Sequence, residues 1–142
     1  MNVIAILKGK GKGVVTAKSG ATLMQIAQDL AKLKIGAVVI VGDDGKVSGI
    51  LSERDIIRVL ALHGPIVLEK QVGEIMTRNV VTCSPADTLN ELMQKMTDGR
   101  FRHLPVVDNG NLVGLISIGD IVKFHIAEVE LEANAMRDYI SH

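Results

Sequence analysis

The sequence predicts an α+β protein in which two βαββα units pack face to face about a pseudo-two-fold axis. The main observation is an internal repeat, because residues 41–56 align without a gap on residues 106–121, 65 positions further on. Seven of the 16 aligned positions are identical, where average residue usage predicts about one. Helix and strand patterns also follow the same order in both copies. The identical pairs are Val41 and Val106, Asp43 and Asp108, Gly45 and Gly110, Gly49 and Gly114, Ser52 and Ser117, Asp55 and Asp120, and Ile56 and Ile121.

The first unit has clear local signals for its helices, strands and turn. Thr22 and Gln25 form a capping-box pattern, which predicts the start of an amphipathic helix. A continuous apolar run at 37–41 predicts a buried strand, and Asp43-Asp44-Gly45 predicts a hairpin turn after it. The predicted elements are a strand at 14–16, a helix with apolar residues from Leu23 to Leu33, strands at 37–41 and 46–51, and a helix at 53–62.

The second unit repeats these signals. Thr88 and Glu91 form the second capping-box pattern, and Asp108-Asn109-Gly110 predicts the second hairpin turn. Each unit alone, with about 60 residues, is marginal for independent folding, so the two halves are expected to form one rigid body. The predicted elements are a strand at 80–82, a helix with apolar residues from Leu89 to Met96, strands at 103–107 and 111–117, and a helix at 118–139.

These elements divide the chain into five parts. We expect an N-terminal segment at 1–13 with a mobile glycine-rich stretch at 9–13, a first repeat at 14–65, a connector at 66–77, a second repeat at 78–124, and a C-terminal helix at 125–142. The last helix carries apolar residues at the 4, 3, 4, 3, 4 spacing of a helix seam. This stripe either docks on its own domain or packs against the same helix of a second chain. Its residues are Val122, Ile126, Val129, Ala133, Met136 and Ile140.

Composition excludes several classes of function. Sixteen basic and 16 acidic residues leave no net charge, so nucleic-acid binding, which needs a basic face, is not expected. Apolar runs are far shorter than the roughly 20 residues of a membrane span, and the N-terminal apolar run is too short for a signal peptide. The single cysteine, Cys83, indicates a reducing compartment, and a cytoplasmic location is expected.

A polar tetrad, Ser-x-x-Asp, closes the repeated stretch in both copies as Ser52 to Asp55 and Ser117 to Asp120. Taken once, this pattern is a capping box in which hydroxyl and carboxylate satisfy free N–H groups at a helix start. Its recurrence after Gly49 and Gly114, where a missing side chain permits close approach to the backbone, favours a binding role as well. A carboxylate at a helix start can accept hydrogen bonds from a ribose diol, and the helix N-terminus suits a phosphate.

With these tetrads the chain resembles a CBS-domain pair, also called a Bateman module. Each tetrad follows a glycine and two apolar residues after a strand–turn–strand hairpin, and residues 100–107 resemble the family's arginine-led Leu-Pro-Val-Val signature, which includes Pro105. The resemblance covers residues 14–124. It implies a regulatory module that binds adenosine-containing ligands, such as AMP, ADP, ATP, NAD or S-adenosylmethionine, in clefts between the repeats.

The resemblance also implies roles for individual residues. Asp55 and Asp120 would hold ribose hydroxyls, while Ser52 and Ser117 would bond ribose or phosphate. The remaining residues implied to contact adenine or ribose are Thr16, Thr82, Ile50 and Leu115. Arginine binds phosphate through a bidentate fork. The candidate phosphate-binding cations are Arg54, Arg100, Arg102 and His103, with a solvated surface charge as the alternative for each. Lys10 and Lys12 could also reach phosphate, although no Walker pattern is present.

No enzyme is expected, because the sequence has neither a catalytic motif nor a spacing of His and Cys typical of a metal site. Cys83 is interpreted as a packed side chain rather than a nucleophile. The residues outside the two repeats are too few for an effector domain. We therefore expect a homodimeric module that senses adenine nucleotides or NAD and signals to a protein partner in trans. The alternative is an interaction module whose clefts bind no ligand and whose tetrads are only helix caps.

Overall fold

The structure, a computed structural model, describes residues 2–10 and 13–141. The first half contains α1 (Val3–Lys10), β1 (Thr16–Ala17), α2 (Leu23–Leu33), β2 (Ala37–Val41), β3 (Val47–Ser52) and α3 (Glu53–His63). Two short 3-10 helices, Pro65–Glu69 and Val72–Glu74, follow α3. The second half contains α4 (Leu89–Gly99), β4 (His103–Asp108), β5 (Asn111–Ser117) and α5 (Ile118–Ser141). The predicted α+β class is confirmed, and so is the helix–strand–strand–helix order in both halves.

Helix starts agree with the capping patterns in the sequence. The Thr22 and Thr88 hydroxyls accept bonds from the backbone N–H groups of Gln25 and Glu91, and both side chains reach back to complete the capping boxes. Helices α2 and α4 also end alike, since Lys34 and Arg100 both adopt the left-handed conformation at the C-cap, with φ of 55° and 56°. Each helix buries one apolar face against its own sheet.

The sheets contain a three-stranded set, β1-β2-β3, and a two-stranded set, β4-β5. The first strand of each unit differs from the prediction. The predicted strand 14–16 is observed as Thr16–Ala17, and the predicted strand 80–82 is absent from this part of the structure. Instead, only Cys83 bridges to Val106, donating to the carbonyl of Pro105 and accepting from the amide of Val107. The apolar residues before Cys83 leave the sheet and line a cleft described below.

Strand register corrects the ungapped alignment of the two copies. Ala37 pairs with Ser52, whereas His103 pairs with Ser117. The first strands of the two hairpins are therefore 66 residues apart and the second strands 65, because the turn of the first hairpin has one extra residue. Val41 thus corresponds to Val107 rather than Val106, and His103 corresponds to Ala37 rather than Val38. The two turns retain left-handed residues at Gly45, Asn109 and Gly110.

Two hydrophobic cores, one in each repeat, are completed by an exchange of segments. Val72 and Met76, which precede the second repeat, are buried in the core of the first. Val3 and Ile6, which precede the first repeat, are buried in the core of the second. Equivalent backbone bonds fix both segments, from the Val72 amide to the Ala21 carbonyl at 2.7 Å and from the Val3 amide to the Asp87 carbonyl at 3.1 Å. This exchange ties the repeats into the face-to-face pair that the sequence predicts.

The N-terminal segment differs from the expectation for this reason. Residues 3–10 form α1 because Val3 and Ile6 find an apolar surface on the second repeat, so Gly9 and Lys10 belong to a helix and not to a mobile stretch. Gly11 and Lys12 lie outside the described residues. Gly49 and Gly114 are expected from the sequence to let a ligand approach the backbone closely. In the structure, side chains of the protein pack there, Met76 over Gly49 and Leu7 over Gly114.

The last helix, α5, extends well beyond its counterpart α3, as predicted. Ile121 is its only buried residue among those described, and the apolar stripe after it is exposed. Ile126 is 52%, Val129 50%, Met136 61% and Ile140 76% exposed. The stripe therefore does not dock on its own chain, which leaves packing against another chain as the open alternative.

Candidate functional site

A cleft of about 270 Å³ opens at the N-terminus of α3, between the two repeats. This volume is close to the lower end of the roughly 300–1,000 Å³ typical of small-molecule sites. The first repeat supplies Gly36, Ile50, Ser52, Glu53, Arg54, Asp55 and Arg58; the end of the connector supplies Thr77, and the second repeat supplies Asn79, Val80, Val81, Arg100, Phe101, Arg102 and His103. Seven of the sequence-predicted residues meet here, namely Ile50, Ser52, Arg54, Asp55, Arg100, Arg102 and His103.

The first tetrad forms the floor of this cleft. The Ser52 amide donates to Asp55 Oδ2 at 2.8 Å, and the Asp55 amide donates to Ser52 Oγ at 3.3 Å, so the tetrad is a capping box. Arg58 Nη2 donates to the second carboxylate oxygen, Oδ1, at 2.9 Å. That guanidinium is 59% exposed and one helical turn away, so Oδ1 can exchange it for another donor at small cost. The cap therefore leaves one carboxylate oxygen available to a ligand.

One wall of the cleft comes from the chain just before Cys83. Ile50 and Thr77 exchange two backbone hydrogen bonds of 3.0 Å, which holds the segment 77–81 of the second repeat over the start of α3. Sequence reasoning missed this segment because its position depends on a pairing across the repeats. It also missed Arg58, although the three-residue spacing from Asp55 on one helix predicts that contact.

Basic side chains give the cleft an excess of positive charge. Arg54, Arg58, Arg100 and Arg102 line it with His103, whereas its only carboxylates among the described residues are Glu53 and Asp55. Planar guanidinium groups bind phosphate through paired hydrogen bonds. The cleft thus combines a carboxylate at a helix start, apolar side chains and several anion-binding groups, a combination suited to a phosphorylated nucleoside.

His103, at the start of β4, lies at the boundary of the two repeats. Its Cα is paired with that of Ser117 in the second tetrad, while its ring lies beside Gly36 of the first repeat. Burial lowers the pKa of His103 below its ordinary value, although the nearby Glu53 carboxylate opposes this effect. The ring is therefore largely neutral near neutral pH and can gain a proton when an anion approaches.

The second tetrad has the same capping geometry but a different neighbour. The Ser117 amide donates to Asp120 Oδ2 at 2.9 Å, and the Asp120 amide donates to Ser117 Oγ at 3.1 Å. Lys10 of α1 donates to Asp120 Oδ2 at 2.8 Å and to the Leu115 carbonyl at 2.7 Å. Burial alone would raise the pKa of Asp120, but the bonds from Lys10 and Ser117 outweigh it, so the pKa lies below its ordinary value.

Six sequence-predicted residues do not line the cleft at Asp55: Leu115, Ser117 and Asp120 lie at the second tetrad, and the other three lie elsewhere. Thr16 is exposed in β1 opposite Val39. The Thr82 carbonyl accepts a 2.9 Å bond from Lys95, and Pro105 is buried in β4 opposite Leu115. Thr16, Thr82 and Pro105 are therefore not among the residues that line this cleft, and their candidate role in ligand binding stays a prediction.

Other features bear on catalysis and membranes. Burial is the main reason that the pKa of Cys83 is raised to about 11, which keeps this thiol protonated and a poor nucleophile at neutral pH. Within residues 2–10 and 13–141, His, Cys, Asp and Glu form no group of three or more that could hold a metal ion. Over the same residues, no helix combines the length and apolar character needed to cross a membrane.

The fold and the paired tetrads define a module of two repeats with a ligand cleft between them. A family model described as "CBS domain" matches residues 11–62 and 72–126. The chain belongs to the CBS-domain family, and the resemblance read from the sequence is confirmed. CBS-domain proteins are generally regulatory, non-catalytic modules, and the family match indicates no catalytic family.

Solved structures similar to this chain include other CBS-domain pairs. The CBS-domain containing protein ATU1752 from Agrobacterium tumefaciens is 45% identical with a TM-score of 0.85, over 88% of this chain and 99% of that one. The CBS domain pair of protein MJ0100, in complex with 5′-methylthioadenosine and S-adenosyl-L-methionine, is 32% identical with a TM-score of 0.80, over 90% and 98%. PAE2072 from Pyrobaculum aerophilum, complexed with AMP, is 30% identical with a TM-score of 0.76, over 84% and 89%.

Curated relatives are longer than this chain. The CBS domain-containing protein CBSX3, mitochondrial, from Arabidopsis thaliana is 31% identical over 95% of this chain. The chain spans 69% of the length of that relative, and between 21% and 72% of the length of the others. The similar structures of MJ0100 and PAE2072 hold adenosine-containing ligands, which supports a regulatory ligand-binding module of this class.

Proposed function

We propose that this chain is a regulatory module that binds an adenine nucleotide, AMP, ADP or ATP, or NAD, in the cleft beside Asp55. The observation that carries the proposal is the meeting of the Asp55 carboxylate, whose Oδ1 is bonded by the exposed Arg58, with four arginines and His103 in one cleft. Asp55 would accept bonds from the ribose hydroxyls, which would displace Arg58 from Oδ1. The arginines and His103 would hold the phosphates.

The apolar part of the cleft suits an adenine ring. Ile50, Val80 and Val81 lie in the lining on two different repeats, so a flat base can be covered on both faces. Because the ligand would contact both repeats, its binding changes the free energy of their association. We propose that this change is the signal that the module passes to a protein partner. We also propose that the module is a homodimer and acts in the cytoplasm.

A thermal-shift panel with AMP, ADP, ATP, NAD, S-adenosylmethionine and adenosine tests this function. A ligand with micromolar affinity, present at millimolar concentration, stabilises the folded protein by about 4 kcal/mol. We expect AMP or a larger phosphorylated adenosine to raise the unfolding midpoint most. If no adenosine compound raises the midpoint, the proposed function is wrong.

Asp55→Ala is the matched variant for this panel, with Asp29→Ala on the exposed side of α2 as its control. Asp55→Ala loses part of a helix cap, at a cost of about 1 kcal/mol, so each shift is measured from that variant's own ligand-free midpoint. We expect Asp55→Ala to weaken binding at this cleft at least about tenfold and Asp29→Ala to leave it unchanged. Equal affinities would leave Asp55 with a capping role alone.

A second candidate function is an interaction module that binds no ligand. The exposed apolar stripe of α5, with Met136 61% and Ile140 76% exposed, is the observation that favours it. Under this alternative the panel gives no shift, while the stripe still mediates association. The two candidates are therefore separated by the same measurements.

A further inference from the structure

The Lys10 ammonium lies against the second tetrad, on the carboxylate oxygen of Asp120 that also accepts the Ser117 amide. It bonds Asp120 Oδ2 and the Leu115 carbonyl, and these two residues correspond to Asp55 and Ile50 of the open cleft. In the first repeat, the Ile50 carbonyl is bonded by the backbone of Thr77, and Asp55 by an exposed arginine of its own helix. A cation from a different part of the chain therefore contacts the two positions of the second repeat that are equivalent to residues lining the cleft of the first.

Helix α1 delivers this lysine from a fixed position. Val3 and Ile6 are 0% and 1% exposed in the core of the second repeat, and Leu7 packs over Gly114. Only the flexible four-carbon stem of Lys10 is free to move, because the helix under it is held by burial. The Lys10 side chain is 36% exposed and the Asp120 carboxylate 22%, so the pair lies near enough to solvent to open.

We propose that Lys10 gates a second adenosine site at Asp120 and makes that site selective for phosphorylated ligands. A ribose diol that bonds both carboxylate oxygens of Asp120 competes with the ammonium at Oδ2 and draws it away from the Leu115 carbonyl. An uncharged adenosine leaves the ammonium without a partner. A phosphorylated adenosine offers it a new anion, so the charge-assisted bonds that are lost are replaced. This inference rests on the proposed function, since it assigns the ligand selectivity of the second tetrad.

The two sites should then differ in the ligands they accept. At Asp55 the displaced cation, Arg58, is 59% exposed and returns to water, so nucleosides and nucleotides both have access. At Asp120 the displaced cation also bridges a backbone carbonyl, and its release without a replacement anion is unfavourable. The site at Asp120 therefore requires a phosphate on the ligand, whereas the cleft at Asp55 also accepts the nucleoside.

Isothermal titration of AMP and of adenosine tests the gate in an Asp55→Ala background, in which binding at the first cleft is weakened at least about tenfold. We expect AMP to bind at least about tenfold more tightly than adenosine there, and Lys10→Met to reduce this ratio at least about fivefold. Lys8→Met, on the exposed part of the same helix, is the control and should keep the ratio. If AMP binds only after Lys10→Met, the lysine blocks the site instead of selecting phosphorylated ligands, and the proposed selectivity is wrong.

Other outcomes overturn it. An unchanged ratio in Lys10→Met, or no binding to either Asp55→Ala protein, excludes a gated second site. AMP binding to Asp120→Ala decides the proposed function separately, because that variant retains only the first cleft. A ligand-free readout is the carboxyl carbon resonance of Asp120, titrated by NMR. Its pKa should rise in Lys10→Met and not in Lys8→Met, and equal values would show that the Lys10 contact is absent in solution.

Discussion

Gly36 and His103 face each other across the boundary of the two repeats. A methyl group added at Gly36 would come to 3.1 Å from Nε2 of His103, closer than side-chain carbons normally approach a ring. The Gly36 carbonyl also accepts the amide of Glu53 at 2.9 Å, which fixes the start of α3 beside the ring. The absence of a side chain at Gly36 thus positions a titratable ring on the wall of the cleft.

Gly36→Ala should move His103 by a few tenths of an ångström and weaken nucleotide binding. We expect the affinity for AMP to fall several-fold, with the free energy of unfolding changed by less than about 1.5 kcal/mol. Gly20→Ala is the matched control, because no atom lies within 4 Å of its added methyl group. Calorimetric titration of both variants decides the matter, and equal affinities would show that the ring moves without consequence.

His103 should make stability depend on pH. Because burial lowers its pKa in the folded state, the unfolded chain binds a proton at a higher pH than the folded chain does. Stability is therefore full above the ordinary histidine pKa of about 6.5 and falls as the pH drops through it towards the folded pKa. One such group contributes a slope of at most about 1.4 kcal/mol per pH unit.

Urea unfolding between pH 5 and pH 8, in the wild type and in His103→Gln, measures this slope. We expect the loss of stability below about pH 6.5 to be smaller in His103→Gln. His63→Gln, at the exposed end of α3, is the control and should retain the wild-type slope. If the two variants have the same pH profile, the titrating group lies elsewhere.

Gly114→Ala should destabilise the protein by roughly 1–3 kcal/mol, because the new methyl group overlaps the Leu7 side chain that packs over this glycine. Gly49→Ala overlaps Met76 in the same way, but a methionine side chain is more flexible and the cost should be smaller. Gly13→Ala, with open space around it, is the control. Denaturant unfolding midpoints, compared at an unchanged m-value, give the change in the free energy of unfolding for the three variants. If Gly114→Ala leaves this free energy unchanged, α1 is displaced without cost.

Val129→Glu should weaken self-association of the chain at least about tenfold, because it places a charge in the exposed apolar stripe of α5. Leu131→Glu is a close control, since Leu131 is 69% exposed but lies outside the stripe. Sedimentation equilibrium of the two variants and the wild type gives the association constants. A wild type that stays monomeric at high concentration, or equal effects of both substitutions, would exclude the stripe as a dimer seam.

Local patterns in the sequence were enough to predict most of the elements of this protein. The capping boxes at Thr22 and Thr88, the hairpin turns and the two tetrads follow from contacts between residues only a few positions apart. The ungapped alignment went wrong by one residue at β2 and β4, because an extra turn residue changes register without changing the apolar pattern. The tetrads were found as candidates, and their capping geometry is confirmed.

The sequence by itself determined the duplication, the fold class and the seven site residues that meet in the cleft. Tertiary structure decided the rest: the helix at α1, the wall at 77–81 and the partner of each tetrad aspartate. Lys10 and Asp120 are 110 positions apart in the chain, and no periodicity or motif links them. Their contact arises because each repeat buries the segment that precedes the other, so the apolar surface of Val3 and Ile6 places a lysine beside a distant carboxylate.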